Sequence, residues 1–100
     1  MMDVDGVIHE PVRLRILSIL TRVDLAAFKF LVSTLDPSRG NLSSHMDMLE
    51  RVGYVDVPKR FDGRVPYTEF AITDGGRKAL GEYWIVLDQI RASPQGDGAA

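Results

Sequence analysis

The stretch Ser38 to Phe70, SRGNLSSHMDMLERVGYVDVPKRFDGRVPYTEF, changes its hydrophobic period midway, and that change decides the fold. Ser38 is a good N-cap, and at about 100° per residue Leu42, Met46 and Leu49 fall in one narrow stripe. The spacing predicts a helix from Ser38 to Val52, with Gly53 as its left-handed stop. Its opposite face carries Gly40, Asn41, Ser44, Asp47, Met48 and Arg51, a small, polar surface of mixed charge. Beyond Gly53 the pattern alternates: YVDVPKRF and PYTEFAI flank DGRV, and Asp62-Gly63 signals a tight turn between two strands. Pairing Val55 with Ile72 and Val57 with Phe70 gathers apolar side chains on one face and leaves Asp62 to Val65 at the tip. Pro58 has no N–H to give a ladder, so its strand must place that position on an edge.

Toward the N-terminus, Pro11 suits the first turn of a helix, and Val12, Ile16, Leu17 and Leu20 recur at helical spacing, predicting a helix from Pro11 to Arg22. Asp24 is a suitable cap for a second helix carrying Leu25, Phe28, Leu31, Val32 and Leu35, which must stop before Pro37. Toward the C-terminus, Thr73 caps a last helix, with Asp74 in the first turn where the helix dipole favours an anion. Gly75-Gly76 weakens that turn, so the helix is expected to become firm only near Arg77. Leu80, Tyr83, Trp84, Leu87 and Ile90 form its stripe, and Ile85 and Val86 widen it beyond what packing on one side needs. The end SPQGDGAA has no apolar period and is expected to be a disordered tail over 93–100, leaving a single domain over 1–92.

One domain is what 100 residues allow, without room for a separate sensor domain. With 45% hydrophobic and 26% charged residues the chain reads as a soluble globular protein. No apolar run approaches the roughly 20 residues of a membrane span, and the acidic N-terminus does not read as a signal peptide, so a cytoplasmic protein with no membrane partner is expected. The absence of cysteine excludes disulfides, thiolate metal sites and cysteine nucleophiles. His9 and His45 lie in different elements and share no ligand-like spacing, so no metal or other cofactor is expected. There is no glycine-rich phosphate loop, no nucleophile elbow and no paired carboxylates, and the chain is not expected to be an enzyme. A net charge of -2 does not advertise a nucleic-acid binder, so the placement of the charges matters more than their sum.

Three helices, a hairpin and a fourth helix form an α+β chain, a winged helix-turn-helix with a two-stranded wing. In that arrangement the third helix lies in the DNA major groove and the hairpin follows the backbone. GNLSSHMDMLERVGYVDVPKRFDGRVPYTEFAITDGGRKAL, together with HEPVRLRIL in the first helix, resembles the small winged-helix transcriptional regulators related to the MarR and ArsR families, over roughly residues 8–85. The likeness is closest to a subgroup that is little more than the DNA-binding domain. The resemblance implies a homodimer on a pseudo-palindromic double-stranded DNA site, assembled through the terminal helices. Leu80, Tyr83, Trp84, Leu87 and Ile90 are its candidate dimer residues, and a monomer in which that helix simply crosses the core is the other reading.

On the reading helix, Asn41, Ser43 and Ser44 match the groove-entering positions of the resembling sequences, and Asn is suited to adenine. They serve equally well to solvate a helix start. Arg39 and Arg51 are candidate phosphate contacts, and His45, at the edge of the apolar stripe, is a candidate contact or a core-flanking imidazole. In the wing Lys59, Arg60 and Arg64 bracket the turn, placed to follow phosphates or enter the minor groove. Asp47 and Met48 depart from the resembling sequences, which commonly have Arg and Lys there, as Val65 and Tyr67 depart from positions often basic in the wing. Two functions therefore stand: a dimeric DNA-binding regulator, most simply a repressor, and a winged-helix module that binds a protein through the same face. Phe28, Phe30, Tyr83 and Trp84 read first as core-packing aromatics, and a cleft for a small effector between the reading helix and the dimer helices is their other reading.

Overall fold

The computed structural model describes residues 3–35, 39–63 and 65–93, with the backbone alone at 39–40, 59–62 and 65–66. The elements are α1 (Pro11–Leu20), β1 (Ala26–Ala27), α2 (Phe28–Leu35), α3 (Arg39–Arg51), β2 (Val55–Asp56), β3 (Lys59–Asp62), β4 (Val65–Ile72) and α4 (Asp74–Ala92). This is the winged-helix order expected from the sequence. Ser38 and Pro37, Arg64 and the tail from 94 onward fall outside the described residues.

The helices begin where local chemistry satisfies their first N–H groups. Glu10 caps α1 by accepting from the Arg13 backbone N–H at 2.7 Å, and Pro11, which lacks an N–H, occupies the first turn. α3 ends in a paired closure: the Tyr54 N–H bonds Leu49 O at 2.9 Å and the Gly53 N–H bonds Glu50 O at 3.0 Å. Gly53 permits this with a φ of 84°. Thr73 caps α4, its Oγ1 accepting from the Gly76 N–H at 2.9 Å and donating to Gly53 O at 2.7 Å.

Three expectations are corrected. Asp24 caps no helix; α2 starts at Phe28, because Ala26 and Ala27 are drawn into a short strand. There Ala26 pairs with Phe70 and Ala27 with Glu69, covering the edge of β4 that a two-stranded hairpin would leave open. The first arm of the hairpin is itself broken into β2 and β3 around Val57-Pro58, although the register set by Val55 with Ile72 continues unbroken to Asp62 with Val65. Helix α4 is formed from Asp74 rather than from Arg77. Gly76 is there for room: a Cβ on it would collide with the Tyr54 carbonyl oxygen and lie 2.9 Å from the Ile72 side chain.

The core joins all the helices to the sheet. Ile16, Leu17 and Leu20 of α1, Leu31 and Leu35 of α2, Leu42, Met46 and Leu49 of α3, Val55, Phe70, and Leu80 and Tyr83 of α4 are buried together. Each fully buried aliphatic side chain contributes about 1.5–3 kcal/mol. Ile8 belongs to the same cluster, so the segment before α1 is packed rather than trailing. Asp5 holds it in a turn by accepting from the Val7 N–H at 2.9 Å, and Arg13 Nε donates to Val7 O at 2.5 Å.

Candidate nucleic-acid interface

Burying Leu42, Met46 and Leu49 turns the opposite side of α3 outward. On it Asn41, Ser43, Ser44, Asp47, Glu50 and Arg51 are exposed, while Met48 is half-buried. Arg39 opens the helix, and Lys59 and Arg60 lie on β3 of the wing. The Gly63 turn, at a φ of 66°, folds that strand back onto β4. Arg64 falls outside the described residues. The backbone thus brings Asn41, Ser43, Ser44 and Arg51 onto one helix surface and sets the wing cations on the adjoining hairpin. The exposed side of α3 carries the carboxylates of Asp47 and Glu50, and its two arginines, Arg39 and Arg51, stand at its ends.

His45 is placed differently from its neighbours. Its Nδ1 lies 3.0 Å from the Arg13 guanidinium and its Nε2 lies 3.8 Å from Glu10 Oε2. A guanidinium only donates, so Nδ1 accepts and the ring proton sits on Nε2, facing the carboxylate. His45 therefore ties the reading helix to the start of α1. Glu10 and Arg13, which the sequence reading passed over, are positioning residues for α3; the Glu-Pro pair that opens α1 was the available signal.

Between α3 and the sheet runs a groove of about 320 Å³, lined by Phe28, Ser43, Met46, Asp47, Glu50, Val57, Thr68 and Phe70. Phe28 and Phe70 pack with ring centroids 6.4 Å apart at its base. A second groove, of about 500 Å³, lies between residues 3–5, Tyr54 and α4, and Tyr83 lines it. Phe28 and Tyr83 thus line two separate grooves, and Phe30 and Trp84 are exposed, so the described structure does not gather these four aromatics into one cleft.

The candidate dimer residues divide in the same way. Leu80 and Tyr83 are buried in the protomer's own core, and Tyr83 shares a hydrogen bond of 2.8 Å with His9 Nδ1. Leu87 is half-buried, whereas Trp84, Ile85 and Ile90 are 44%, 58% and 42% exposed. Tyr54, at the junction of α3 and β2, donates to Asp5 Oδ2 at 2.5 Å. That hydrogen bond, burial, and the negative charges of Asp5 and Glu82 push its pKa up to about 12.

Residues 12–90 match the family model of the winged helix DNA-binding domain. The chain belongs to that family. It is 35% identical over 85 residues to an uncharacterized protein of Methanocaldococcus jannaschii, a match covering 84% of this chain and 91% of that one. A transcriptional regulator homologue from Pyrococcus horikoshii shares 33% identity at a TM-score of 0.80, over 87% of this chain and 86% of that one. The Bacillus subtilis protein PadR, solved with operator DNA, is 14% identical at a TM-score of 0.68, over 76% of this chain and 48% of that one, a likeness of fold. Among the described residues no helix is long and apolar enough to cross a membrane, and no group of His, Cys, Asp and Glu is arranged to hold a metal ion.

Proposed function

We propose that this winged-helix protein is a sequence-specific regulator that binds double-stranded DNA as a homodimer and represses transcription by occupying its site. The observation that carries the reading is the outward polar face of α3, with Asn41, Ser43, Ser44 and Arg51, beside a wing strand bearing Lys59 and Arg60. Asn41, Ser43 and Ser44 reach base edges or phosphates from the N-terminal half of the helix, the part that enters a major groove in helix-turn-helix proteins. Arg39, Arg51, Lys59, Arg60 and Arg64 contact phosphates, and His45 holds the helix in place. PadR, of the same fold, was solved in complex with operator DNA, which supports a DNA-binding reading.

Two copies are favoured by α4. Trp84, Ile85 and Ile90 expose apolar surface on a helix whose Leu80 and Tyr83 are already committed to the core, and such exposed surface favours an interaction. A second copy would cover it and set two reading helices about one helical turn of DNA apart.

The experiment is selection of bound sequences from a random duplex library, followed by sedimentation of the enriched complex. The reading requires two related half-sites about one turn apart and two chains per duplex. An Ile85→Lys variant should sediment as a monomer and lose affinity for the full site. Failure to enrich any duplex, together with retention of a protein partner from nuclease-treated lysate, would replace this reading with that of a protein-binding module.

A further inference from the structure

We propose that Asp47 is a base-reading residue that selects cytosine in the major groove. The inference rests on the DNA-binding reading above and gives it a base preference. Asp47 follows Ser43 by four residues and Ser44 by three, so the three share one exposed surface of α3. Among the described side chains Asp47 has no ion-pair partner and is directed to solvent, lining the groove that opens between α3 and Thr68 of β4.

A carboxylate accepts hydrogen bonds and donates none. A DNA surface offers it few places. Phosphates repel it, as do guanine N7 and O6, thymine O4 and adenine N7, all of which are acceptors. The amino groups that can donate in the major groove are those of cytosine N4 and adenine N6. Adenine sets its amino group beside the N7 acceptor, whereas the N4 amino group of cytosine has no acceptor next to it on that edge. Cytosine is therefore the base that best accommodates Asp47, and an acidic side chain that weakens general affinity for DNA sharpens the choice of site. Asn41, six residues earlier, lies about 9 Å away along the helix axis. If Asn41 takes an adenine, the cytosine read by Asp47 falls about two to three base pairs from it in the same half-site.

The test is parallel selection from a random duplex library with the full chain, D47A and D47N. The wild-type protein should enrich a cytosine whose replacement by thymine lowers affinity about tenfold or more. D47A should bind the cytosine and thymine duplexes alike and bind unrelated duplexes more tightly, having lost a negative charge. D47N should shift the same position toward adenine, which Asn pairs through N6 and N7. Thermal melting of both variants, equal to wild type at this exposed helical position, separates recognition from folding. Base preferences that survive D47A at every position, or a preference erased by D47A at a base other than cytosine, overturn the assignment while leaving the DNA-binding reading intact. A wild-type chain that enriches nothing overturns both.

Discussion

On its inner side α3 is held by Leu42, Met46 and Leu49, all buried, and by His45 reaching Arg13 and Glu10; on its outer side Ser43, Ser44, Asp47, Glu50 and Arg51 stand in solvent. The inner side is fastened to the core and to the start of α1. The outer side carries the chemistry that remains available to a partner. On the proposed function one helix separates stability from recognition by residue position, and substitutions on its two sides should have effects that do not mix. The contrast extends behind the helix, where residues 3–10, Tyr54 and α4 are joined by Asp5 to Tyr54 and by His9 to Tyr83.

The strongest way to break the contrast is Leu49→Ala. Leu49 is fully buried, and its truncation should lower stability by about 2–5 kcal/mol in denaturant titration. The base preference of whatever remains folded should be unchanged, and an altered preference would show that the inner side also reads. Gly76→Ala should cost about 1–3 kcal/mol, because the added methyl meets the Tyr54 carbonyl and the Ile72 side chain and forces α4 away from the turn after α3. Calorimetric melting measures it.

On the outer side, Asn41→Ala should cost about 1–3 kcal/mol of affinity for the selected duplex and relax the preference at one base pair. Arg51→Ala should leave base preference alone and reduce the slope of log affinity against log salt by about one unit. Binding isotherms over a salt series distinguish the two.

The smallest effect belongs to the seam. Tyr54 is protonated in the fold up to about 12, above its ordinary value of 10.0. A raised pKa means the folded state holds the proton more tightly, so this stabilisation is complete below pH 10 and is lost as pH rises toward 12. Tyr54→Phe should cost about 1 kcal/mol at neutral pH and flatten the loss of stability between those limits. Urea unfolding at a series of alkaline pH values checks both.

What the sequence disclosed follows the range of the interactions involved. The apolar stripe of α3, the left-handed stop at Gly53, the Thr73 cap and the register of Val55 with Ile72 are all set by residues near one another in the chain or by a tight turn, and the structure has each of them. Ala26-Ala27 was missed because alanine favours helix, and only the open edge of β4, more than forty residues away, makes a strand of it. Asp5 with Tyr54 and His9 with Tyr83 are separated by 49 and 74 residues, distances over which no periodicity speaks. The same limit applied to α4: its stripe was plain, but that Leu80 and Tyr83 pack inward while Trp84 and Ile90 stay outside depends on where the core lies. Of the candidate interface, Asn41, Ser44 and Arg51 were legible as one helical face and Ser43 through the resemblance, whereas the fastening of His45 by Arg13 and Glu10 was not.

In the proposed function the outer face of α3 and the wing read DNA while the seam behind them only supports the reading. Its most direct test is an amide chemical-shift map of the labelled protein titrated with its selected duplex. Large, salt-sensitive shifts are expected at 39–51 and along the 59–68 hairpin, with Ile8, Tyr54 and Tyr83 little changed. Shifts concentrated at 3–10 and on α4, with the α3 amides unmoved, would contradict it.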